Sequence, residues 1–455
     1  SIASFCEKYR RFALTLLSAQ AAMEVDSQRW ADLDKLLRRP GNVVGPGFEP
    51  GPEIRQFLQE HCRILVIGAG GLGCELLKDL ALTGFVHIDV IDMDSIDISN
   101  LNRQFLFRTQ DVGKPKAVVA AERVNARVAG ANVTGHHARI EDFGSDFYAS
   151  FHVIVLGLDS LEARRHMNTV ICSLLEFDED GSPDQSTIKP MVDGGTEGFK
   201  GHARVILPGV TPCFECTLWL FPPQVKFPLC TLAETPRSAA HCIEYAHLIQ
   251  WENERAGEAF NADCEEHMRW VFDKALERAN HHGISGVTYQ YAQGVVKNII
   301  PAIASTNAIV SAACVIEVLK IVSMCSTGMN NYMMYVGSGG VYTHTVAYER
   351  DPDCPICSPG LPLYVRPAMT LQETIDAMLK DEAIGSRVSA PSVSHGADNL
   401  YMRGALEAMT RENLSKPLAE LLGSKSCVVS VNDKSLPAPM RVRLCMQDEV
   451  MDGAV

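Results

Sequence analysis

The residues with the clearest chemical spacing lie in one glycine cluster. Gly68-Ala69-Gly70-Gly71-Leu72-Gly73 is a G-x-G-x-x-G sequence that follows an apolar run, Ile64 to Ile67, and opens the segment Cys74 to Leu82. Glycines at this spacing let the chain turn tightly and let the backbone approach a phosphate, whose charge then rests on free N–H groups at a helix N-terminus. Asp92 ends the next strand-like run, where a carboxylate can accept hydrogen bonds from ribose hydroxyls. The cluster alone does not choose between a dinucleotide and ATP. The residues that follow favour ATP: Asp92-Met93-Asp94, then Asn100, Arg103 and Gln104, then Gly113-Lys114-Pro115-Lys116, and later Gly157-Leu158-Asp159. Triphosphate chemistry needs cations on the phosphates and a carboxylate for magnesium, and Asp159 falls where a strand end would present one.

Cysteine chemistry is the second candidate. Cys213-Phe-Glu-Cys216 and Cys354-Pro-Ile-Cys357 are two C-x-x-C pairs with 137 residues between them. Four thiolates from two tight turns would close a tetrahedral metal site with no open position for water, which suits structural zinc; two redox or merely buried pairs are the alternative on spacing alone. Cys230, in Phe227-Pro228-Leu229-Cys230-Thr231, has Lys226 and Arg237 near in sequence. Cations favour the thiolate, the attacking form, so Cys230 is a candidate nucleophile, although taken alone a cysteine here is more often a small buried hydrophobe. Cys242 is its nearest rival and is read as structural. The chain has 15 cysteines, an odd number, and no signal-peptide-like start, which favours thiols in a reducing compartment over a disulfide framework.

These residues must be positioned by alternating strands and helices. Ile64–Ile67 reads as a strand buried on both faces, Val86–Ile91 as the next strand and Val153–Leu156 as a later one, the pattern of an open, mostly parallel α/β sheet. Helical spacings at Leu14, Leu17, Ala21 and at Trp30, Leu33, Leu37 predict helices near the start. From about Trp219 to Tyr291 the pattern is interrupted by a mainly helical insertion. Ile299–Ile316 carries no charge, but its Pro, Ser, Thr and Asn residues predict a buried helix rather than a membrane span. Tyr332–Val336 and Val341–Val346 resume the sheet. Ser358 to Pro367 reads as a linker to a small α+β domain. The chain has 455 residues, 41 Lys+Arg against 55 Asp+Glu and a formal net charge of −14, so a basic nucleic-acid-binding stripe is absent.

The strings GAGGLG, DMDSIDISNLNRQFLF, GKPKA and GLDS resemble the adenylation domain of the ubiquitin-like modifier-activating enzymes of the MoeB/ThiF type. The resemblance implies a Rossmann-like adenylation domain in two parts, 1–216 with an N-terminal helical region and 293–358 completing the zinc site. Between them it implies a mainly helical catalytic-cysteine domain, 217–292, and after them a ubiquitin-fold (β-grasp) domain, 366–455. It implies ATP, Mg²⁺ and structural Zn²⁺ as cofactors. Gly68, Gly70, Gly73, Asp92, Asp94, Asn100, Arg103, Gln104 and Lys116 would form the nucleotide site, with Arg103 and Lys116 acting on the phosphates and Asp159 on magnesium. Cys213, Cys216, Cys354 and Cys357 would hold zinc, and Cys230, in FPLCTLAETPR, would take the modifier as a thioester. Arg204, after the glycine-rich segment Gly194–Gly201, would face the modifier's tail; on its own, that segment reads as a loop and Arg204 as a surface residue. The order of parts is closest to the neddylation branch, with a SUMO-type subunit as nearest competitor. The partners implied are a regulatory subunit with the second adenylation-like half, a ubiquitin-like modifier and a conjugating enzyme, in cytoplasm and nucleus, without nucleic acid or membrane. A nicotinamide-dependent oxidoreductase and a zinc-stabilised adaptor with an inactive nucleotide pocket are the readings from other classes.

Overall fold

The computed structural model describes residues 28–39, 44–45, 47–178, 181–221, 236–262, 264–296, 302–395, 398–404, 407–423, 426–436 and 439–447. Two compact units emerge, Ser1–Leu218 with Ile303–Val455, and Trp219–Ala302.

The larger unit is built on an eight-stranded sheet. Its strands are β1 (Arg63–Ile67), β2 (His87–Ile91), β3 (Asn132–His136), β4 (Val153–Leu156), β5 (Met191–Glu197), β6 (Lys200–Ile206), β7 (Tyr332–Val336) and β8 (Tyr342–Val346), in the order β3-β2-β1-β4-β5-β6-β7-β8. The first five pair in parallel and the last three antiparallel. Ile64 to Ile67 are apolar without alternation because β1 is central and covered on both faces; none is more than 1% exposed. The covering helices include α1 (Gly71–Leu82), α2 (Lys116–Arg127) and α3 (Leu161–Ser173).

Three expectations change here. The glycine-rich segment 194–201 is no loop: it forms most of the β5–β6 hairpin, with Glu197 opposite Lys200. Its glycines are needed because side chains press on it from a helix and from its own second strand: a Cβ on Gly194 would lie 2.8 Å from Leu72 Cδ2 of α1, and one on Gly195 2.3 Å from His202 Cε1 of β6. The apolar helix begins at Ala304, beyond Pro301 and five residues later than read. That Ala304–Ser323 helix is long and apolar enough to cross a membrane by composition, yet Val310, Cys314 and Val318 are fully buried against the sheet side of the unit. The stretch read as a linker contains a strand, β9 (Leu361–Val365), which lies at the edge of a second sheet where Pro362 can be tolerated.

That second sheet holds β9, β10 (Ser392–His395), β11 (Asp398–Tyr401), β12 (Cys427–Asn432) and β13 (Met440–Met446) in the order β11-β10-β12-β13-β9, with β9 and β13 parallel. A helix, Leu371–Lys380, buries Leu371, Ile375 and Met378 in the same core as Val429, Val431, Val442 and Leu444. It starts with a capping box in which Thr370 and Glu373 satisfy each other's backbone N–H groups. This is the grasp of a sheet around one helix expected of a ubiquitin fold.

The smaller unit is helical among its described residues, with Ala239–Tyr245, Glu265–His281 and Tyr289–Val296. Cys242, Trp251, Met268, Val271 and Ala275 form its core.

Candidate functional site

The glycine cluster makes the corner between β1 and α1. Gly68 sits at φ +97°, and a Cβ there would meet the Gly157 carbonyl oxygen at 2.7 Å; on Gly73 it would lie 1.9 Å from the Gly68 oxygen. Both positions are therefore closed to any side chain. Gly70 differs, since its Cβ would meet only Gln104 Nε2, at 3.9 Å. The corner leaves room over Gly70, at the N-terminus of a twelve-residue helix, where an anion is favoured.

The expected nucleotide residues gather around that corner. Asp92 Oδ2 accepts from the Ala69 amide at 2.6 Å and Oδ1 from the Asp94 amide at 2.8 Å. Burial pushes the Asp92 carboxyl up, against the Ala69 amide and the Lys116 charge. Lys116, the first residue of α2, is buried and reaches Asp94 Oδ2 at 2.7 Å. Asn100 is buried and spends its Oδ1 on the Asp97 amide at 2.9 Å, so it shapes the loop 97–100. Arg103 packs its Cγ near Gly71 and donates to the Ser99 carbonyl at 2.9 Å and Asn102 Oδ1 at 3.1 Å. Gln104 is buried, and its Oε1 has no partner beside the space over Gly70. Asp159, exposed at the C-terminal end of β4, adjoins Ser160, which caps α3. An open phosphate cradle, two cations, an orphaned buried acceptor and a free-standing carboxylate fit a magnesium nucleotide.

Sequence reasoning missed the charged cluster that supports this edge. Asp193 is fully buried, with Arg164 Nε on Oδ1 and Arg204 Nε on Oδ2, both at 2.9 Å, and His202 Nε2 at 3.5 Å. Arg164 also donates to the Leu158 and Gly194 carbonyls, tying the turn before Asp159 to the hairpin. Arg204 is 3% exposed, bonded to Thr217 Oγ1 at 2.9 Å and stacked over Phe214, so it is not a surface residue. Also missed was Asn307, 1% exposed near the start of the Ala304–Ser323 helix, whose Oδ1 accepts from the Thr196 hydroxyl at 2.7 Å. The available signal was a Ser-Thr-Asn run opening an otherwise apolar helix.

The two C-x-x-C pairs come together. The four sulfurs of Cys213, Cys216, Cys354 and Cys357 all lie within 4.8 Å of one another, with separations of 3.7 Å for 213–216, 3.6 Å for 213–354 and 3.5 Å for 216–357. A tetrahedral ion with metal–sulfur bonds of about 2.3 Å has edges of about 3.8 Å, so the cage is the right size. Hydrogen bonds from Cys213 first, then Cys354 and Cys357, push the Cys216 thiol down. Outside the cage, Asn168 of α3 donates to Cys213 Sγ at 3.5 Å and accepts from the Phe214 amide at 2.9 Å, and Arg165 forms a two-bond pair with Glu215. Arg441 of β13 donates to the Ile356 carbonyl inside the second turn. Cys62 and Cys74, by contrast, are buried thiols pushed up to about 12, suited to packing rather than attack. Burial also raises Cys242, which is fully enclosed. Cys230 lies outside the described residues.

The ThiF family model matches residues 51–356, and a model of the E2 binding domain matches 364–446. The NEDD8-activating enzyme E1 catalytic subunit of Arabidopsis thaliana is 60% identical over 402 residues, covering 88% of each chain. The subunit of the same name from Drosophila melanogaster is 45% identical over 450 residues, covering 96% of this chain and 100% of its own. SUMO-activating enzyme subunit 2 of Dictyostelium discoideum is also 45% identical, but over 192 residues that cover 42% of this chain and 27% of that one. With its Rossmann-like sheet, glycine corner and C-terminal ubiquitin fold, the chain belongs to the ThiF family, among the NEDD8-activating enzyme E1 catalytic subunits.

Proposed function

We propose that this chain is the catalytic half of a two-subunit enzyme that activates NEDD8 with Mg-ATP and passes it to a conjugating enzyme. The observation that carries the reading is the 60% identity sustained over 88% of both chains, a longer match than the nucleotide-binding part alone would give. The regulatory subunit supplies the second adenylation-like half, and the E2-binding domain at 364–446 receives the conjugating enzyme. We place the enzyme in the cytoplasm and nucleus.

In the first stage a terminal carboxylate oxygen of the modifier attacks the α-phosphorus of ATP and pyrophosphate leaves. Arg103 and Lys116 stabilise the charge that develops on the phosphates, and Asp92 accepts from the ribose. Asp159 would hold magnesium, which would supply further positive charge there. The Lys116 ammonium is held 2.7 Å from Asp94, so it is oriented before substrate arrives. In the second stage the Cys230 thiolate attacks the acyl carbonyl carbon, the carbon–oxygen bond to AMP breaks, and a thioester results. A cysteine of the conjugating enzyme then takes the acyl group. Cys213, Cys216, Cys354 and Cys357 would hold zinc in a structural role, because four thiolates would fill its coordination.

The test incubates the chain and its partner subunit with Mg-ATP and either NEDD8 or SUMO, followed by a non-reducing gel. A thiol-sensitive adduct with NEDD8, lost in Cys230→Ala, is the expected result. An adduct only with SUMO, or one that survives Cys230→Ala, would overturn the corresponding assignment. Metal analysis of the purified protein should find about one zinc per chain; its absence would remove the zinc reading.

A further inference from the structure

Asn307 stands at the glycine corner with a donor unspent. A Cβ on Gly71 would lie 2.4 Å from Asn307 Nδ2 and 3.5 Å from Arg103 Cγ, so the amide nitrogen rests on the first residue of α1, between the glycine cluster and the phosphate-side arginine. The amide's orientation is set from behind, because the Thr196 hydroxyl donates to Oδ1 at 2.7 Å. Nδ2 therefore faces the corner and meets no acceptor among the described residues, although the side chain is 1% exposed. A donor left unspent beside the N-terminus of α1 and the Arg103 side chain is placed to meet an anion. Gln104, whose Nε2 is the atom nearest the open space over Gly70, leaves its buried Oε1 without a partner at the same corner.

We infer that Asn307 is a phosphate-binding residue of the nucleotide site, donating from Nδ2 to a phosphate oxygen of ATP while Thr196 holds its amide in that orientation. The inference rests on the ATP reading above. It also gives the β5–β6 hairpin a role in nucleotide binding, since Thr196 lies in β5 and Thr306, next to Asn307, donates to the Gly198 carbonyl at 2.8 Å in the hairpin turn.

The experiment measures Mg-ATP binding and ATP–pyrophosphate exchange by the full chain in complex with its partner subunit. Asn307→Asp keeps the shape and the acceptor for Thr196 but sets a carboxylate against the phosphate. It should weaken ATP about 10- to 100-fold, the range for losing a hydrogen bond to a charged group, and raise KM for ATP while KM for the modifier stays unchanged. Thr196→Val, which frees the amide to rotate, should weaken ATP by a smaller factor in the same direction. Thermal unfolding without nucleotide checks that both variants fold. A merely structural Asn307 would lower the melting temperature yet leave ATP affinity within about twofold of wild type, and that result overturns the inference. Failure of the wild-type complex to bind Mg-ATP would overturn the ATP reading as well.

Discussion

Replacing Asp193 with Asn removes the carboxylate that faces two buried guanidinium groups and an imidazole. Asp193 is 0% exposed, and the side chains of Arg164 and Arg204 are 6% and 3% exposed, so water cannot take over. Removing one partner of a buried ion pair costs about 3–5 kcal/mol, because the remaining charge is left uncompensated. Here one carboxylate serves two cations, and the Asn amide oxygen can accept from only one of them, which places the cost at the upper end. For a domain of this size each kcal/mol lowers the melting temperature by about 2–4 °C, so a fall on the order of 10 °C is expected by calorimetry. Asp193→Asn combined with Arg204→Met should recover part of that loss, since the orphaned charge goes and an apolar chain of similar length stays beside Phe214. A fall of under about 2 °C in the single variant would refute the claim that Asp193 compensates buried charge. A double variant no more stable than the single one would refute the same claim by a different route.

Lys116→Ala should slow adenylation by about 10²- to 10³-fold, the loss of one transition-state donor, while changing stability by under about 1 kcal/mol because Asp94 is 55% exposed; a rate within tenfold of wild type would remove Lys116 from the phosphates. Gly70→Ala should leave the melting temperature within about 1 °C yet weaken ATP binding, as its Cβ enters open ligand space, whereas Gly73→Ala should cost several kcal/mol through its 1.9 Å collision with the Gly68 oxygen. Equal thermal shifts in the two would contradict this geometry. Burial pushes His202 down, so the unfolded chain takes up a proton below about pH 6.5 that the folded one resists, and stability should fall as pH drops through that value, by at most about 1.4 kcal/mol per pH unit. Burial alone would raise Asp193, but Arg164, Arg204 and His202 outweigh it and hold the carboxyl well below its ordinary range. Its contribution should be present above about pH 4 and lost below. Denaturant midpoints measured from pH 3 to 8 check both signs.

What was legible in the sequence and what was not divide along a physical line. β1 and β4 were readable because a strand buried on both faces is apolar throughout, and the glycine corner because only glycine survives at Gly68 and Gly73. The cysteine cage could be anticipated from two pairs of equal spacing, since each pair already fixes two ligands on one turn. The hairpin was missed because its glycines answer to Leu72 and Cys314 on helices that the local sequence does not contain. β9 was missed because proline argues against a strand unless the strand is known to be an edge.

Arg204 shows why such misses concentrate next to the site. A charged residue beside a glycine-rich run resembles a ligand contact or surface decoration, and its true partner is named only by the antiparallel register that sets Asp193 directly opposite it. The same register brings in Arg164, from a helix whose first turn follows Asp159 and whose later turn carries Asn168 against Cys213. One thirteen-residue helix, about 20 Å long, therefore runs from beside Asp159 to the cysteine cage. Its polar residues look scattered along the chain because each answers to a different neighbour in space. The two groups of chemically spaced residues are separate motifs in the sequence and opposite ends of one rigid element in the fold.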